Sequence, residues 1–227
     1  MAKRILFITT SHAKMGETDT ATGLWLEELA APWMTLAQNG HELTLSSVSG
    51  GQVPMDPKSL DDDGELVASF REQHGELLEV TPAFTDFEAS EFDALFIPGG
   101  HGTMWDMPDN ADLAAMIRSF VEAGKPVVTV CHGPAALAGV TLGNGESVVK
   151  DRRITCFTDS EEAAMELTEV VPFLLASRLQ TEGATLDHAD DFQPKVVTDG
   201  PLITGQNPPS STPAAEALID WFAQNPV

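Results

Sequence analysis

The sequence predicts an α/β fold with a mostly parallel sheet that is covered by helices on both faces. Two short runs that are mostly apolar, at 92–97 and 127–130, are typical of strands that are buried on both faces. Segments with helical spacing separate the strands, and strands that alternate with helices favour parallel pairing. A chain of 227 residues can bury one full core, so we expect a single domain over residues 1–227.

The first helix shows the clearest periodicity. Leu24, Leu29, Trp33 and Leu36 are spaced to lie on one face of a helix from about 22 to 38, which Asn39-Gly40 ends. The other elements expected in the first half are strands at 4–10, 42–48 and 92–97, an irregular loop over 49–64, a helix at 66–78 that forms a small cap, and a helix at 111–123.

Shorter elements are predicted beyond the strand at 127–130. We expect a hairpin of 195–198 and 202–204 that turns at Asp199-Gly200. The remaining predictions are a strand at 154–157 and helices at 161–166, 172–181 and 214–224. No internal repeat and no linker interrupts this order.

Acidic residues outnumber basic ones throughout the chain. The sequence has 35 Asp and Glu against 12 Lys and Arg, which gives a formal net charge of −23. Phosphate groups are bound by clustered cations, so we expect neither nucleic acid nor an anionic membrane as a partner. Because the acidic residues are scattered, they indicate a solvated surface, compatible with adaptation to high salt, rather than a binding tail.

The composition favours a soluble cytoplasmic protein. Two cysteines are too few for a disulfide framework, which favours a reducing compartment. The N-terminal sequence MAKRILFITT enters a strand too soon for a signal peptide, and no apolar run approaches the roughly 18 residues of a membrane span.

The stretch PVVTVCHGPAALAGV at 126–140 places a thiol at the end of a buried strand. Cys131 ends the valine-rich run, and Pro134 opens an alanine-rich segment at a position where its missing N–H does not disturb a helix. A thiol at such a turn faces the positive end of a helix dipole, which favours thiolate and predicts a nucleophile. The alternative is a buried cysteine that acts as a small hydrophobic residue.

Two further segments are expected near this thiol, because ligands of such sheets bind at the carboxyl ends of the strands. The loop GGHG at 99–102 can turn the N–H groups of Gly100 and His101 toward an oxyanion, together with the N–H of His132. Glu27 and Glu28 lie on the first helix, where successive residues point about 100° apart, so one of them can face the site. Composition alone does not choose between the two.

Six segments occur in order along nearly the whole chain: TGLWLEELAAPW, GGQVPMDPKS, FIPGGHGTMWDMP, VCHGPAAL, ITCFTDSEE and TGQNPPSS. Together they resemble the DJ-1/PfpI superfamily, whose fold is like that of class I glutamine amidotransferases, and specifically its Hsp31-like glyoxalase III branch. The resemblance implies a flavodoxin-like three-layer sandwich with a small cap. It also implies a nucleophilic Cys131, the neighbouring His132, and a helix glutamate at Glu28, five residues after Gly23.

A third acid is implied after the FTD turn. We place it at Glu162, with Glu161 or Asp159 as alternatives, because this region varies among subgroups. No metal site is expected at His101 and His132, since the sequence lacks zinc-like spacing. No nicotinamide, flavin or glutathione is required, so we expect no cofactor.

The implied activity is that of a lyase in a stress-protection role. It converts 2-oxoaldehydes such as methylglyoxal to 2-hydroxy acids, through a hemithioacetal on Cys131. Glu28 would move the proton between the two carbons, His132 would assist, and Glu162 would fix the imidazole.

Three alternative activities remain open from the sequence. An amidase or peptidase would use Cys131, His132 and Glu162 as a triad, which requires His132 to point at the sulfur. The others are a protein deglycase and an Hsp31-like holdase chaperone that binds unfolded chains through an exposed apolar patch.

Two further expectations concern association and the second thiol. We expect a homodimer, because Trp25, Trp33 and Trp105 are predicted to lie near surfaces that a monomer would expose. Cys156 is expected to lie in a buried strand, where a thiol is inert.

Overall fold

The computed structural model of the protein describes residues 1–61 and 64–225. Its strands are β1 (Arg4–Thr9), β2 (Glu42–Ser47), β3 (Ala94–Ile97), β4 (Val127–Val130), β5 (Arg153–Ile154), β6 (Thr185–Leu186), β7 (Val196–Asp199) and β8 (Leu202–Gly205). Its α-helices are α1 (Leu26–Gln38), α2 (Glu65–His74), α3 (Thr103–Asp106), α4 (Ala111–Glu122), α5 (Asp159–Ala164), α6 (Leu175–Thr181) and α7 (Ser211–Gln224).

The central sheet has six strands in the order β2-β1-β3-β4-β8-β7. All neighbouring strands in it are parallel except β7 and β8, which form the antiparallel hairpin predicted around Asp199-Gly200. β5 and β6 pair separately in a small parallel sheet. The predicted mostly parallel sheet is therefore confirmed.

Alternate residues of β1 enter two different hydrophobic cores, as the two-residue period of a strand requires. Ile5 and Phe7 pack in the core that α1 and α7 cover, whereas Leu6 and Ile8 pack in the core that α4 covers. The sheet is thus the middle layer of a three-layer sandwich, and the expected flavodoxin-like architecture is confirmed.

α1 begins at Leu26, four residues later than the predicted start. The preceding residues are extended because Leu24 pairs with Met55, and the N–H of Leu24 donates to the carbonyl oxygen of Pro54 at 2.8 Å. Gly23 permits this approach, since a Cβ there would lie 2.2 Å from the same oxygen. The predicted inner face is confirmed: Leu29, Trp33 and Leu36 are buried.

The segment predicted as a small cap is helical, but it packs on α1. The rings of Trp33 and Phe70 lie 5.9 Å apart at a steep angle, and α2 continues as a short 3-10 helix at Gly75–Leu78. Two residues of the predicted preceding loop, Asp62 and Asp63, lie outside the described residues.

Two predictions after the sheet's fourth strand need correction. The alanine-rich segment after Cys131 is not an α-helix but a five-residue 3-10 helix, Gly133–Leu137, which ends as Ala138 becomes extended and Gly139 takes a left-handed conformation (φ 79°). The predicted strand at 154–157 is a strand only at β5, and it pairs outside the central sheet.

The tryptophans do not provide the exposed surface on which the predicted homodimer was based. Trp33 is a core residue with 5% exposure, and the ring of Trp105 stacks on His12 at a centroid distance of 5.1 Å. Trp25 is partly buried. The homodimer stays a prediction without that support. Among the described residues, no helix combines the length and the hydropathy needed to span a bilayer.

Candidate active site

Cys131 sits at a sharp turn between β4 and the 3-10 helix that follows it. Its φ of 59° is unusual for a residue other than glycine and is a form of backbone strain that concentrates at functional sites. Two backbone hydrogen bonds hold it there: the N–H of Cys131 donates to Gly205 (2.9 Å), and its carbonyl accepts from the N–H of Phe157 (2.9 Å). The predicted elbow thus presents its thiol at the carboxyl end of the sheet.

Cys131, His132 and Glu162 form a continuous line of side-chain contacts. The sulfur lies 3.3 Å from Nδ1 of His132, and Nε2 of His132 lies 2.8 Å from Oε2 of Glu162. All three side chains are buried. An N–H at Nε2 that donates to the carboxylate leaves Nδ1 free to accept a proton from the thiol.

Glu28 approaches the same thiol from α1. Its side chain is fully buried, and Oε2 accepts a hydrogen bond from the N–H of Gly99 at 2.7 Å. Oε1 has no well-formed hydrogen bond among the described residues, yet this carboxyl and the thiol of Cys131 are close enough to shift each other's pKa. Glu27, in contrast, is only partly buried, so the helix register brings Glu28 to the thiol.

Burial sets the protonation states at the thiol. It raises the pKa of Glu28 to about 8, against smaller lowering effects of the nearby Cys131 thiol and of the hydrogen bond from the N–H of Gly99. Burial and the neighbouring Glu28 also raise the pKa of Cys131. At neutral pH Glu28 is therefore a carboxylic acid beside a protonated thiol. Burial of the thiol opposes the thiolate that the sequence predicts, and a five-residue 3-10 helix offers little dipole to offset that burial.

The pKa values of His132 and Glu162 are lowered, whereas those of Glu28 and Cys131 are raised. Burial, followed by the neighbouring His101, lowers the pKa of His132 to about 4. Burial alone would raise the pKa of Glu162, but hydrogen bonds from His101 and His132 bring it down to about 2. His132 is thus a neutral base at pH 7 and Glu162 a carboxylate that orients it.

The glycine-rich loop packs directly against the elbow. A Cβ on Gly99 would lie 2.7 Å from both Oε2 of Glu28 and the backbone nitrogen of His132, so only glycine fits there. The hydroxyl of Thr103 contacts the carbonyl oxygens of Gly100 (2.9 Å) and His132 (3.0 Å). This contact joins the two loops that line the thiol.

The side chain of His101 shares Glu162 with His132. Its Nε2 lies 2.8 Å from Oε1 of Glu162, and the two imidazole centroids are 4.0 Å apart. These three side chains offer potential metal-binding atoms within 4.8 Å of one another. Both imidazole nitrogens that face the carboxylate are hydrogen-bonded to it, so an ion bound between them would have to replace both hydrogen bonds.

A cavity of about 190 Å³ opens beside the sulfur. Its wall is mainly apolar and includes the polar groups described above; it is formed by Trp25, Glu28, Gly100, His101, Cys131, His132, Phe157, Met165, Phe192 and Pro208. The structure therefore brings all six predicted site residues close together, with Glu162 behind the two histidines. Such a cavity suits a small, largely apolar ligand that carries a few polar atoms.

Comparison with protein families gives a match to the DJ-1/PfpI family over residues 20–220. The chain belongs to the DJ-1/PfpI family. Its curated relatives include Glyoxalase 3 of Candida albicans, which is 28% identical over 99% of this chain and 100% of the relative. The crystal structure of a glyoxalase III from Candida albicans is 28% identical in sequence, superposes with a TM-score of 0.88, and the alignment covers 96% of both chains.

Two other curated relatives are similar over most of the chain. Glutathione-independent glyoxalase HSP31 of Saccharomyces cerevisiae is 29% identical over 96% of this chain and 97% of its own length. Protein/nucleic acid deglycase HchA of Escherichia coli is 28% identical over 89% of this chain and 72% of its own length. The resemblance to the Hsp31-like glyoxalase III branch is thereby confirmed.

Sequence reasoning left the third acid open between three neighbours in this DJ-1/PfpI chain. Glu162 contacts His132, whereas Glu161 accepts hydrogen bonds from a nearby loop and Asp159 binds the hydroxyl of Ser177 (2.5 Å). Thr103 and the side-chain role of His101 were missed. Thr103 directly follows the GGHG loop, and this position in the sequence could have indicated that Thr103 lies near the site.

Proposed function

We propose that this chain is a glutathione-independent glyoxalase that converts 2-oxoaldehydes such as methylglyoxal to 2-hydroxy acids, in a stress-protection role. The observation that carries this proposal is the position of a buried carboxylic acid, Glu28, and a neutral imidazole, His132, beside one thiol. The reaction needs a nucleophile and two groups that exchange protons, and it consumes only water.

The first step forms the bond between sulfur and the aldehyde carbon. The thiol proton of Cys131 passes to Nδ1 of His132 as the sulfur attacks, and Glu28 gives its proton to the aldehyde oxygen. The product is a neutral hemithioacetal beside a Glu28 carboxylate and a His132 imidazolium. Glu162 stabilises the imidazolium, and the N–H groups of Gly100 and His101 stabilise charge that develops on the oxygen.

The second step moves a hydrogen between adjacent carbons. The Glu28 carboxylate removes the proton from the former aldehyde carbon, and His132 protonates the ketone oxygen, which gives an enediol. Glu28 then protonates the neighbouring carbon while His132 takes the proton of the other hydroxyl. The result is a thioester of the 2-hydroxy acid.

Hydrolysis returns the site to its starting state. Water attacks the thioester carbon and gives a proton to Glu28, and His132 returns its proton to the departing sulfur. The starting protonation of all groups is restored, and no oxidant or reductant is consumed. The raised pKa of Glu28, about 8, supports this role because the group must act both as acid and as base near neutrality.

The amidase or peptidase alternative has one observation in its favour. His132 points at the sulfur, with Nδ1 at 3.3 Å, which is the geometry that a Cys-His-Glu triad requires. A deglycase, which is the activity in the name of HchA, is a further alternative that would use the same thiol. Glu28 distinguishes the proposals, because simple acyl transfer by a Cys-His-Glu triad does not need a second proton carrier beside the thiol.

A turnover assay tests the proposal. The purified protein is incubated with methylglyoxal without any added thiol, and lactate is measured by proton NMR. We expect lactate to accumulate without stimulation by glutathione. Absence of product with methylglyoxal and with other 2-oxoaldehydes would overturn the glyoxalase proposal and leave the amidase, deglycase or chaperone alternatives.

A further inference from the structure

Phe192 is an aromatic residue that faces both solvent and the site cavity. Its side chain lines the cavity that contains Cys131, yet the residue is 42% exposed. Its ring packs edge-on against Phe157 at 6.3 Å, and Phe157 in turn lies 4.4 Å from the imidazole of His132. Phe192 is therefore the outermost ring of a series that leads from solvent to the imidazole beside the thiol.

The backbone at Phe192 is held in a costly conformation. Its φ is 60°, in the left-handed region that residues with a Cβ adopt rarely. Because the ring is largely exposed, its burial contributes little free energy to offset the cost of this backbone conformation. Phe192 combines an exposed aromatic ring with a left-handed backbone at the edge of a cavity, and such a residue is a candidate for a functional role.

Glu161 holds the backbone of Phe192 in this conformation. Its Oε1 accepts hydrogen bonds from the N–H of Phe192 (2.8 Å), Nδ2 of Asn207 (2.9 Å) and Nε2 of Gln206 (3.2 Å), and its Oε2 accepts from the N–H of Thr158 (2.9 Å). Glu161 is fully buried. A carboxylate that accepts four hydrogen bonds fixes the loop firmly, because each donor would otherwise lose its partner.

The same network ties down the rest of the Phe192 loop. Asn207 also donates to the carbonyl oxygen of Gln193 (2.8 Å), and the N–H of Ala189 donates to Gln206 (2.9 Å). The residues on both sides of Phe192 are thus anchored to the segment after β8. The ring is consequently held in place as part of the cavity wall.

We propose that Phe192 is a specificity-determining residue that narrows the cavity mouth, so that 2-oxoaldehydes with a small substituent reach Cys131 and those with a bulky substituent are disfavoured. Glu161 is the positioning residue that holds Phe192 there. The two adjacent carboxylates of α5 then have different roles: Glu161 positions Phe192, and Glu162 orients the imidazole of His132. This inference rests on the proposed function for its substrate class.

Two substrates of different size test the inference by turnover. Phe192→Ala should raise the ratio of kcat/KM for phenylglyoxal to that for methylglyoxal about tenfold, since pocket contacts of this kind discriminate by roughly 10-fold or more. Val80→Ala is the matched control, because Val80 is 80% exposed and is not among the residues that line this cavity; it should leave the ratio unchanged. An unchanged or lower ratio in Phe192→Ala would overturn the proposal.

Alkylation of Cys131 provides a test that does not depend on turnover. In a Cys156→Ala background, the rates of modification by iodoacetamide and by a bulky pyrene maleimide are compared. Phe192→Ala should raise the ratio of the bulky to the small reagent several-fold. Glu161→Gln, which has one acceptor oxygen in place of two, should shift it in the same direction, with thermal unfolding as a check on the fold.

The two tests separate failure of this inference from failure of the proposed function. If the wild type does not turn over 2-oxoaldehydes, the glyoxalase proposal fails and the alkylation ratio alone decides the role of Phe192. An alkylation ratio that is the same in wild type and Phe192→Ala would overturn the assignment of Phe192 to the cavity mouth, whatever the turnover assay shows.

Discussion

Replacement of Glu28 by glutamine changes activity and stability in opposite directions. Glutamine keeps the shape of the side chain and a carbonyl oxygen for the N–H of Gly99, which donates to Glu28 at 2.7 Å, but it cannot exchange a proton. We expect methylglyoxal turnover to fall by about 10² or more, because general acid–base catalysis contributes that much. Hemithioacetal formation on Cys131 can persist.

The effect on stability follows from the raised pKa of Glu28, about 8 in the folded chain against an ordinary value of 4.5. Below pH 4.5 the carboxyl is protonated in both the folded and the unfolded chain, so it does not change the free energy of unfolding. Above that pH the unfolded chain loses the proton while the folded chain keeps it until about pH 8, so wild-type stability declines across this window. At about 1.4 kcal/mol per pH unit, the loss at pH 7 is at most about 3 kcal/mol.

Urea unfolding at pH 5 and pH 7, combined with the turnover assay, checks both effects. Glu28→Gln should be more stable than wild type at pH 7 by about 3 kcal/mol, and the gain should shrink to about 1 kcal/mol at pH 5 because most of the window between the two pKa values lies above that pH. Glu27→Gln is the control: it makes the same chemical change at a partly buried neighbour and should retain activity. Near-wild-type turnover in Glu28→Gln, or a larger loss in Glu27→Gln, would show that the wrong carboxylate has been assigned.

Three further predictions concern pH, thiol reactivity and association. The value of kcat/KM should fall above about pH 8, where Glu28 loses its proton, and below about pH 4, where the imidazole of His132 gains one; a rise through pH 8 would indicate control by a thiolate instead. Iodoacetamide followed by peptide mass mapping should label Cys131 before Cys156, because Cys131 lines the cavity while Cys156 is buried in the core; preferential labelling of Cys156 would reverse the assignment. Light scattering at micromolar concentration should give a dimer mass, and a monomer mass would reject the homodimer.

Most strands of the central sheet were predictable from local sequence, but their order in the sheet was not. The valine-rich run at 127–130 is buried on both faces, and the Asp199-Gly200 turn joins an antiparallel pair, because apolar continuity and turn residues act over short distances. The 3-10 helix Gly133–Leu137 was not predictable in the same way. The length of this helix depends on where the chain turns away from the elbow, and the helix propensity of alanine does not predict that position.

The site was predictable where a motif carries its own geometry. Cys131 at the elbow follows from the end of a buried strand, whereas Glu28 was chosen over Glu27 only through the family resemblance. The contact between His101 and Glu162 joins residues 61 positions apart, and it depends on how two loops meet above the sheet. The raised pKa of the Cys131 thiol likewise depends on burial and on Glu28, neither of which a local pattern reports.

The most direct test of the central claim compares two cysteine variants in the thiol-free methylglyoxal assay. Both Cys131 and Cys156 are free and buried, so Cys131→Ala and Cys156→Ala make the same chemical change in similar surroundings. We expect Cys131→Ala to lose lactate formation completely and Cys156→Ala to retain it, with both variants folded by circular dichroism. Lactate formation by folded Cys131→Ala at the wild-type rate would contradict a hemithioacetal on Cys131.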